Sequence, residues 1–281
     1  VKTDASGTTV WSNFYDGGIN STDVCYDAIP LSGGGILIAG SSDTTGNNFD
    51  MFMMKINSAG VAQWKRHYGT VNSEVANAVK HTADNGFILC GYSNPTGFSV
   101  YDMYVVKTDS TGHMTWQNYY GGAYSDFAED IIQLSDGSYT MVGNIHNYVD
   151  SSQAFMLHLN SGGTQQWIKN IGRSTGDEVY SVAKIGGGYV CAGYTLSQAA
   201  GGNVLLVKTN NTGDTVYTKQ FGSGSDDIGN WIIAKPANYI IGGTTFGFGD
   251  GNVQQYLIKC DTLGAVPCPS TATFTTSPSS I

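Results

Sequence analysis

The stretch VKTDSTGHMTW, residues 106–116, decides the fold because its pattern returns at nearly constant intervals along the chain. The pattern K-x-[D/N]-x-x-G ends at six glycines spaced 50 to 53 residues apart, with a histidine in place of the lysine in the fourth copy. These glycines are Gly7, Gly60, Gly112, Gly163, Gly213 and Gly264. A tryptophan follows the first four of them at a fixed distance: Trp11, Trp64, Trp116 and Trp167. Several markers with one period indicate a repeat architecture.

Each period contains four short runs rich in β-branched and aromatic residues, separated by Gly and Asn clusters, as is typical of strands. In the second full copy they read VANAVKHT, FILCGYS, DMYVVKT and HMTWQNYY, which we call strands a, b, c and d. The Asp or Asn of the pattern starts a tight turn, and the Gly accepts a positive φ, which predicts a c–d hairpin. Strand c is apolar on both faces, as in MFMMKI, which indicates burial on both sides. Four antiparallel strands in about fifty residues predict a β-propeller blade.

The two ends of the chain contain incomplete periods. Residues 1–15 supply runs c and d only, whereas the last period supplies a, b and c without a convincing d. The sequence therefore predicts an all-β, five-bladed β-propeller with four antiparallel strands per blade, closed by the N-terminal strand TVWSNFY (residues 9–15). Residues 1–3 then duplicate the last c strand, so one of the two copies must lie outside the regular position. We expect the propeller to span residues 1–268 and the Ser/Thr/Pro-rich residues 269–281 to form a linker or tail.

Composition excludes several classes of function. The formal net charge is −9, from 13 basic and 22 acidic residues, which disfavours nucleic acid and anionic membrane surfaces as partners. No apolar run approaches the roughly 20 residues that cross a bilayer, so membrane insertion is not expected. The cysteines form no C-x-x-C pair. Cys260 and Cys268 flank the last turn of the pattern, and we predict a disulfide between them.

The repeat "YGG…SD.A..I..L.DG.Y...G…D.Y.VKTD.TG...W" resembles the β-propeller repeats of bacterial secreted and cell-surface proteins, often cargo of a secretion system that reads a C-terminal sorting domain. The resemblance covers residues 1 to about 266. It implies a secreted or surface-displayed, non-enzymatic module for binding, adhesion or scaffolding. It also implies a domain that is monomeric by itself and belongs to a larger chain or assembly.

The b–c loops differ in every repeat and mix aromatics with Asn, Ser, Gly and Asp, a composition suited to recognition on a rigid scaffold. We therefore expect a glycan or a surface protein to bind at the end of the propeller that carries them. The alternative is that these loops are unconstrained surface. The predicted ligand-binding residues are Tyr92, Phe98, Tyr101, His146, Tyr148, Tyr194, Phe246 and Phe248.

An acid precedes each strand a, and these five acids are expected to circle the mouth of the central channel. They are Asp23, Glu74, Asp126, Glu178 and Asp227. The first interpretation is structural, with each carboxylate accepting backbone N–H groups at a blade junction. No cofactor is otherwise expected, and calcium is the cation that such a ring of hard oxygen ligands would hold.

Two further readings of the function stay open. A glycoside-active enzyme needs a pair of carboxyl groups in unlike environments, and Asp27, Asp130 and Glu129 on the inner strands are the candidates. The near-identity of the blades argues against this enzyme, so the leading expectation is that the chain is not an enzyme. A purely structural subunit of a surface or secretion assembly is the other alternative.

Overall fold

The computed structural model describes ten stretches of the chain, which are residues 1–15, 22–43, 48–70, 72–94, 100–147, 151–172, 176–196, 201–223, 225–248 and 252–266. These residues form 21 strands in six antiparallel sheets, and no helix occurs among them. Consequently none of the described segments is a helix able to cross a bilayer. The prediction of an all-β fold built from repeated strand groups is confirmed.

Each sequence repeat forms one sheet, whose strands pair in chain order. Repeat 1 contains β3 (Asp23–Pro30), β4 (Ile36–Asp43), β5 (Phe49–Ile56) and β6 (Ala62–Tyr68). Repeat 2 contains β7 (Glu74–His81), β8 (Phe87–Ser93), β9 (Asp102–Thr108) and β10 (Met114–Tyr120). Repeat 3 contains β11 (Ser125–Gln133), β12 (Tyr139–Asn147), β13 (Ser151–Leu159) and β14 (Gln165–Asn170). Repeat 4 contains β15 (Asp177–Ile185), β16 (Gly188–Thr195), β17 (Asn203–Asn210) and β18 (Thr215–Phe221). Repeat 5 contains β19 (Asp227–Ala234), β20 (Asn238–Thr245) and β21 (Gln254–Asp261).

The core lies between successive sheets. On β5, Met51 and Met53 face repeat 2, whereas Phe52 and Met54 face the opposite side. Equivalent clusters join repeats 2 and 3, 3 and 4, and 4 and 5. A strand c that packs against a neighbour on each side buries both of its faces, which explains the continuous apolar runs in the sequence.

The repeated glycine and tryptophan belong to one packing contact. Gly112 adopts a φ of +79°, and a Cβ at that position would lie 2.9 Å from the Trp64 ring of the preceding repeat. Trp116 meets Gly163 and Trp167 meets Gly213 in the same way. The glycine is required because its turn needs a left-handed φ and because the indole of the preceding repeat fills the space of a side chain.

The N-terminal hairpin does not close a ring with repeat 5, so this part of the fold prediction is wrong for the described residues. Its strands β1 (Lys2–Thr3) and β2 (Thr9–Trp11) pair only with each other, and the sheet of repeat 5 has three strands. Strand β2 pairs instead with β1, its partner in the hairpin. Trp11 covers Gly60 of repeat 1, and its indole N–H donates to the Ser58 carbonyl at 3.0 Å. The hairpin thus lies before repeat 1 as a half-sheet, and the duplicated c strand β1 lies outside the sheet of repeat 5.

Replacing Trp11 with alanine should lower the free energy of unfolding by about 2–3 kcal/mol, because the ring leaves a cavity above Gly60 and uncovers the apolar residues of β5. The control is Phe14→Ala, since Phe14 is fully exposed at 101%. Urea denaturation of both variants measures the difference. Equal midpoints for the two variants would show that the hairpin does not stabilise repeat 1.

Candidate active site on the inner strands

The first strand of every repeat lies innermost, and β3, β7, β11, β15 and β19 contact one another in that order. Each of these inner strands contains a β-bulge, seen as a register shift against the second strand. The extra residues are Tyr26, Asn77, Glu129, Tyr180 and Asn230. A bulge bends its strand and redirects a side chain, a feature often found beside active sites.

The glycine that ends each strand b makes this bulge possible. A Cβ on any of Gly40, Gly91, Gly143, Gly193 and Gly243 would lie only 1.8–1.9 Å from a carbonyl oxygen of the bulged strand. In repeat 3, for example, the obstructing atom is the Phe127 carbonyl oxygen, 1.9 Å from the Cβ that Gly143 lacks. The repeated glycine therefore marks the position of a bulge on the neighbouring inner strand.

The bulges differ chemically even though the backbone repeats. Among the five extra residues, Glu129 alone carries a carboxyl group. Two residues before each bulge the inner strands carry Val24, Val75, Phe127, Glu178 and Ile228, so only repeat 4 has a charged residue there. Glu129 and Glu178 thus form a carboxyl pair on the neighbouring strands β11 and β15, at positions that are amide, aromatic or aliphatic elsewhere.

Glu129 keeps its proton to a higher pH than an ordinary glutamate. Burial and the negative charges of Glu178 and Asp130 together raise the pKa of its carboxyl to about 7. The Asn77 side-chain amide donates to Glu129 Oε2 at 3.1 Å and to the Ala128 carbonyl at 2.9 Å. Within the described part of the chain Glu129 has no salt bridge to a lysine, arginine or histidine.

Glu178 has a different environment. The Tyr180 hydroxyl donates a hydrogen bond to Glu178 Oε2. Burial raises the pKa of Tyr180, and the nearby Glu178 carboxylate raises it further, so this hydroxyl remains a donor at any physiological pH. The pair therefore combines a buried carboxyl group of raised pKa with a carboxyl group that accepts a tyrosine hydrogen bond.

The structure places Asp27 and Asp130 in an ion-pair network centred on Lys80. The Lys80 ammonium lies 3.1 Å from Asp27 Oδ2 and 3.0 Å from Asp130 Oδ1. Asp27 also accepts the Val79 N–H at 3.0 Å, and Asp130 accepts the Val182 N–H at 3.0 Å. The two aspartates thus join repeat 1 to repeat 2 and repeat 3 to repeat 4, and of the three predicted catalytic carboxyls only Glu129 is left without a cation.

Replacing Lys80 with methionine should destabilise the fold by about 2–3 kcal/mol, because Asp27 and Asp130 would keep their negative charges in a half-buried site without a counter-charge. The control Lys169→Met removes a surface pair with Asp214 and should change stability little. Thermal unfolding at pH 7 compares the two. A Lys80→Met protein as stable as wild type would mean that the network contributes nothing.

The predicted ring of acids is shifted by one residue in repeat 4. Registers against the second strands align Asp23, Glu74, Asp126 and Asp227 with Asp177 rather than with Glu178. A shift of one residue moves a side chain to the other face of a strand, which is why Glu178 lies with Glu129 instead.

The members of the aligned ring bind the loop that leads into their own strand. Glu74 accepts the Thr70 N–H at 3.1 Å, Asp126 accepts the Gly122 N–H at 3.0 Å, and Asp227 accepts the Ser223 N–H at 2.6 Å. Asp23 instead pairs with Lys65 at 3.0 Å. No group of three or more His, Cys, Asp or Glu side chains among the described residues is arranged to hold a metal ion. Calcium at this ring stays a prediction.

Three of the predicted ligand-binding residues come together beside Glu129. Tyr92 packs edge-on against Tyr101 and Phe127, with ring centroids 5.4 and 5.0 Å apart, and His146 lies 5.1 Å from Phe127. Sequence reasoning missed Phe127, although its position two residues before a bulge distinguishes it. We call Tyr92, Tyr101, Phe127 and His146 the aromatic group.

The other predicted ligand-binding residues lie apart from the aromatic group. Tyr194 donates its hydroxyl to Asp226 at 3.0 Å, whereas Phe246 and Phe248 are exposed on repeat 5. Phe98 and Tyr148 lie outside the described residues. So does Cys268, and its disulfide with the buried Cys260 stays a prediction.

Comparisons with known proteins give a fold and no family. No family model matches the chain, and no curated protein matches it. Solved β-propeller structures superpose on most of it. A subtype N10 neuraminidase-like protein from a little yellow-shouldered bat isolate from Guatemala aligns with a TM-score of 0.52 and 12% identity, over 83% of this chain and 80% of the other.

Two GH43 enzymes also superpose on the chain. A β-xylosidase/α-arabinofuranosidase from a compost microbial metagenome, in complex with xylotriose, aligns with a TM-score of 0.48 and 10% identity, over 91% of this chain and 97% of the other. An endo-arabinanase from Bacillus licheniformis aligns with a TM-score of 0.44 and 10% identity, over 83% of this chain and 93% of the other.

These findings correct the expectation of a non-enzymatic binding, adhesion or scaffolding module. The solved structures that superpose on the chain include glycoside hydrolases, contrary to the leading prediction. The argument against an enzyme was the near-identity of the repeats. It fails because the repeats share a backbone while their inner strands carry different side chains, with Glu129 and Glu178 on the adjacent repeats 3 and 4.

Proposed function

We propose that this protein is a glycoside-active enzyme that cleaves a glycosidic bond with Glu129 as the general acid and Glu178 as its partner carboxylate. The observation that supports this most is the pairing of two glutamates on β11 and β15, at positions where the other repeats carry amide, aromatic or aliphatic residues. Carboxyl pairs in unlike environments are the usual machinery of glycoside hydrolysis.

The chemistry assigns each carboxyl one task. Protonated Glu129 gives its proton to the glycosidic oxygen as the bond to the anomeric carbon breaks. Glu178, oriented by Tyr180, is the partner that either deprotonates the attacking water or attacks the anomeric carbon itself. Asn77 orients the Glu129 carboxyl group through its hydrogen bond to Oε2. Because the acid must be protonated, activity should fall as the pH rises through about 7.

The substrate class follows from the neighbouring side chains. The aromatic group offers flat apolar surface next to polar edges, which suits the alternating C–H and O–H faces of a sugar ring. We therefore propose that a glycan is the ligand and that the enzyme acts outside the cell, where polysaccharides are found.

The proposal includes a five-bladed propeller arrangement of the five repeat sheets, which is supported by their equivalent core clusters.

The test is release of reducing sugar from arabinan, xylo-oligosaccharides and β-1,3-galactan by the whole chain. We expect turnover on at least one of them by the wild type and by Asp214→Asn, whose carboxylate lies on the surface of repeat 4. Glu129→Gln and Glu178→Gln should each be inactive. Turnover unchanged in both glutamine variants, or no turnover on any neutral glycan, would contradict the proposal.

A further inference from the structure

A concave site lies between the a–b turns of repeats 4 and 5. A cavity of about 430 Å³ opens there, and three lysines line it, Lys184, Lys208 and Lys235. None of the residues that line it is acidic. Three of the 13 basic residues of an acidic chain thus converge on one cavity of the size of a small-molecule site.

None of the three lysines forms a salt bridge with a carboxylate among the described residues. The Lys184 ammonium donates to the Gly188 carbonyl at 3.1 Å and to Asn211 Oδ1 at 2.6 Å, and it lies 4.5 Å from the centre of the Tyr189 ring. Lys208 donates to the Thr262 carbonyl at 3.3 Å. Asp261, which precedes Thr262, uses its Oδ1 to accept two backbone N–H groups of its own turn. Three like charges therefore remain uncompensated around one cavity.

In repeat 2 a carboxylate neutralises the lysine that corresponds to Lys208. Lys107 occupies the place of Lys208, because each pairs with the residue three positions before the repeated glycine of strand b in its own repeat. Its ammonium lies 2.7 Å from the carboxylate of Asp84, which stands in the a–b turn. The corresponding turn of repeat 4 has Gly186 and Gly187, and that of repeat 5 has Pro236 and Ala237. The a–b turns of repeats 4 and 5 therefore lack the carboxylate of Asp84, whereas repeat 4 has the equivalent lysine, Lys208.

We propose that this cavity binds an oxyanion, namely a sulfate, phosphate or carboxylate group, either as a free ion or attached to a sugar residue. The bound anion takes the place that the Asp84 carboxylate holds in repeat 2. Lysine recognises such groups as a compact charge with several donors. The site lies at the a–b turns, on different residues from the glutamate pair, and does not depend on the proposed hydrolysis.

The experiment is calorimetric titration of the whole chain at low ionic strength with sodium sulfate, glucose 6-sulfate and, as the neutral control, glucose. We expect both sulfates to bind and glucose not to bind at this site. Tighter binding of glucose 6-sulfate than of sulfate would identify a sugar-borne anion as the ligand, whereas equal affinities would identify the free ion. Binding should weaken with added salt, as expected for screened charges.

Two variants of opposite design locate the site. Lys184→Gln combined with Lys208→Gln should weaken sulfate binding at least about tenfold. Gly186→Asp restores a turn carboxylate and should weaken it similarly. This substitution is sterically free, since a Cβ there meets no atom within 4 Å and the backbone is not left-handed. The matched control is Lys107→Gln, which removes a lysine already paired with Asp84 and should bind sulfate like the wild type.

Failure of this proposal is distinguishable from failure of the proposed enzyme. Glu129→Gln should bind sulfate with unchanged affinity, and Gly186→Asp should leave hydrolysis of neutral glycans unchanged. Absence of sulfate binding by the wild type would overturn the anion site. So would wild-type affinity in a folded Gly186→Asp protein, which remains informative even when the double lysine variant does not fold.

Discussion

Replacing Glu129 with glutamine should lower the rate of hydrolysis without lowering the stability of the fold. Hydrolysis of a polysaccharide is expected to fall by about 10²–10⁴-fold, because the leaving sugar can no longer receive a proton. Hydrolysis of a dinitrophenyl glycoside of the same sugar should fall far less, since that leaving group departs without protonation. A structural role for Glu129 would lower both rates alike, so the ratio of the two rates identifies the general acid.

The same variant should be more stable than the wild type above pH 7. The native state keeps a proton on Glu129 up to about pH 7, whereas the unfolded chain loses it near the ordinary value of 4.5. Between pH 4.5 and about 7 the native state thus binds more protons than the unfolded chain. The free energy of unfolding of the wild type therefore falls as the pH rises through this range. The loss is on the order of 2 kcal/mol. Glutamine does not titrate, so the Glu129→Gln variant should not lose this stability. Melting curves of both proteins at pH 5 and pH 8 measure the difference. A variant less stable than wild type at pH 8 would contradict this account.

The second large effect is expected at Gly143. An alanine there would place its Cβ 1.9 Å from the Phe127 carbonyl oxygen and 3.0 Å from the Ala128 Cα, both backbone atoms with no room to move. The strands β11 and β12 would have to separate at the bulge that presents Glu129. We expect destabilisation of about 4 kcal/mol or insoluble protein.

Gly122→Ala is the matched control for Gly143→Ala, because a Cβ at Gly122 meets no atom within 4 Å. Urea denaturation of the two variants measures the contrast. Gly143→Ala with the midpoint of the Gly122→Ala protein would show that the bulge does not need a glycine.

The repeat, its strands and its turns could be predicted from the sequence because each depends on local chemistry. Asp109 illustrates this, since its Oδ1 accepts the Thr111 and His113 N–H groups and Gly112 then takes a positive φ. The place of the N-terminal hairpin could not be predicted in this way. It depends on whether β2 pairs with β1 or with β21, and both are c strands of the same repeated motif.

The sequence alone indicates only one member of the proposed catalytic pair. Glu129 was a candidate, but Glu178 was assigned to the ring of acids because an acidic dipeptide, Asp177–Glu178, precedes the strand. Only strand pairing shows that Asp177 aligns with the ring and Glu178 lies with Glu129. The bulge was also missed, although the glycine that ends each strand b is its signature, because the close approach of Gly143 to the Phe127 carbonyl is a tertiary feature of two strands.

The state of Glu129 can be measured without knowing the substrate. The chain contains only three glutamates, Glu74, Glu129 and Glu178, so carbon-13 labelling of glutamate gives three side-chain carboxyl signals to titrate. The account predicts that one signal titrates near pH 7 and disappears in the Glu129→Gln variant. If the signal that this variant removes instead titrates near pH 4.5, Glu129 is an ordinary carboxylate and the proposed general acid does not exist.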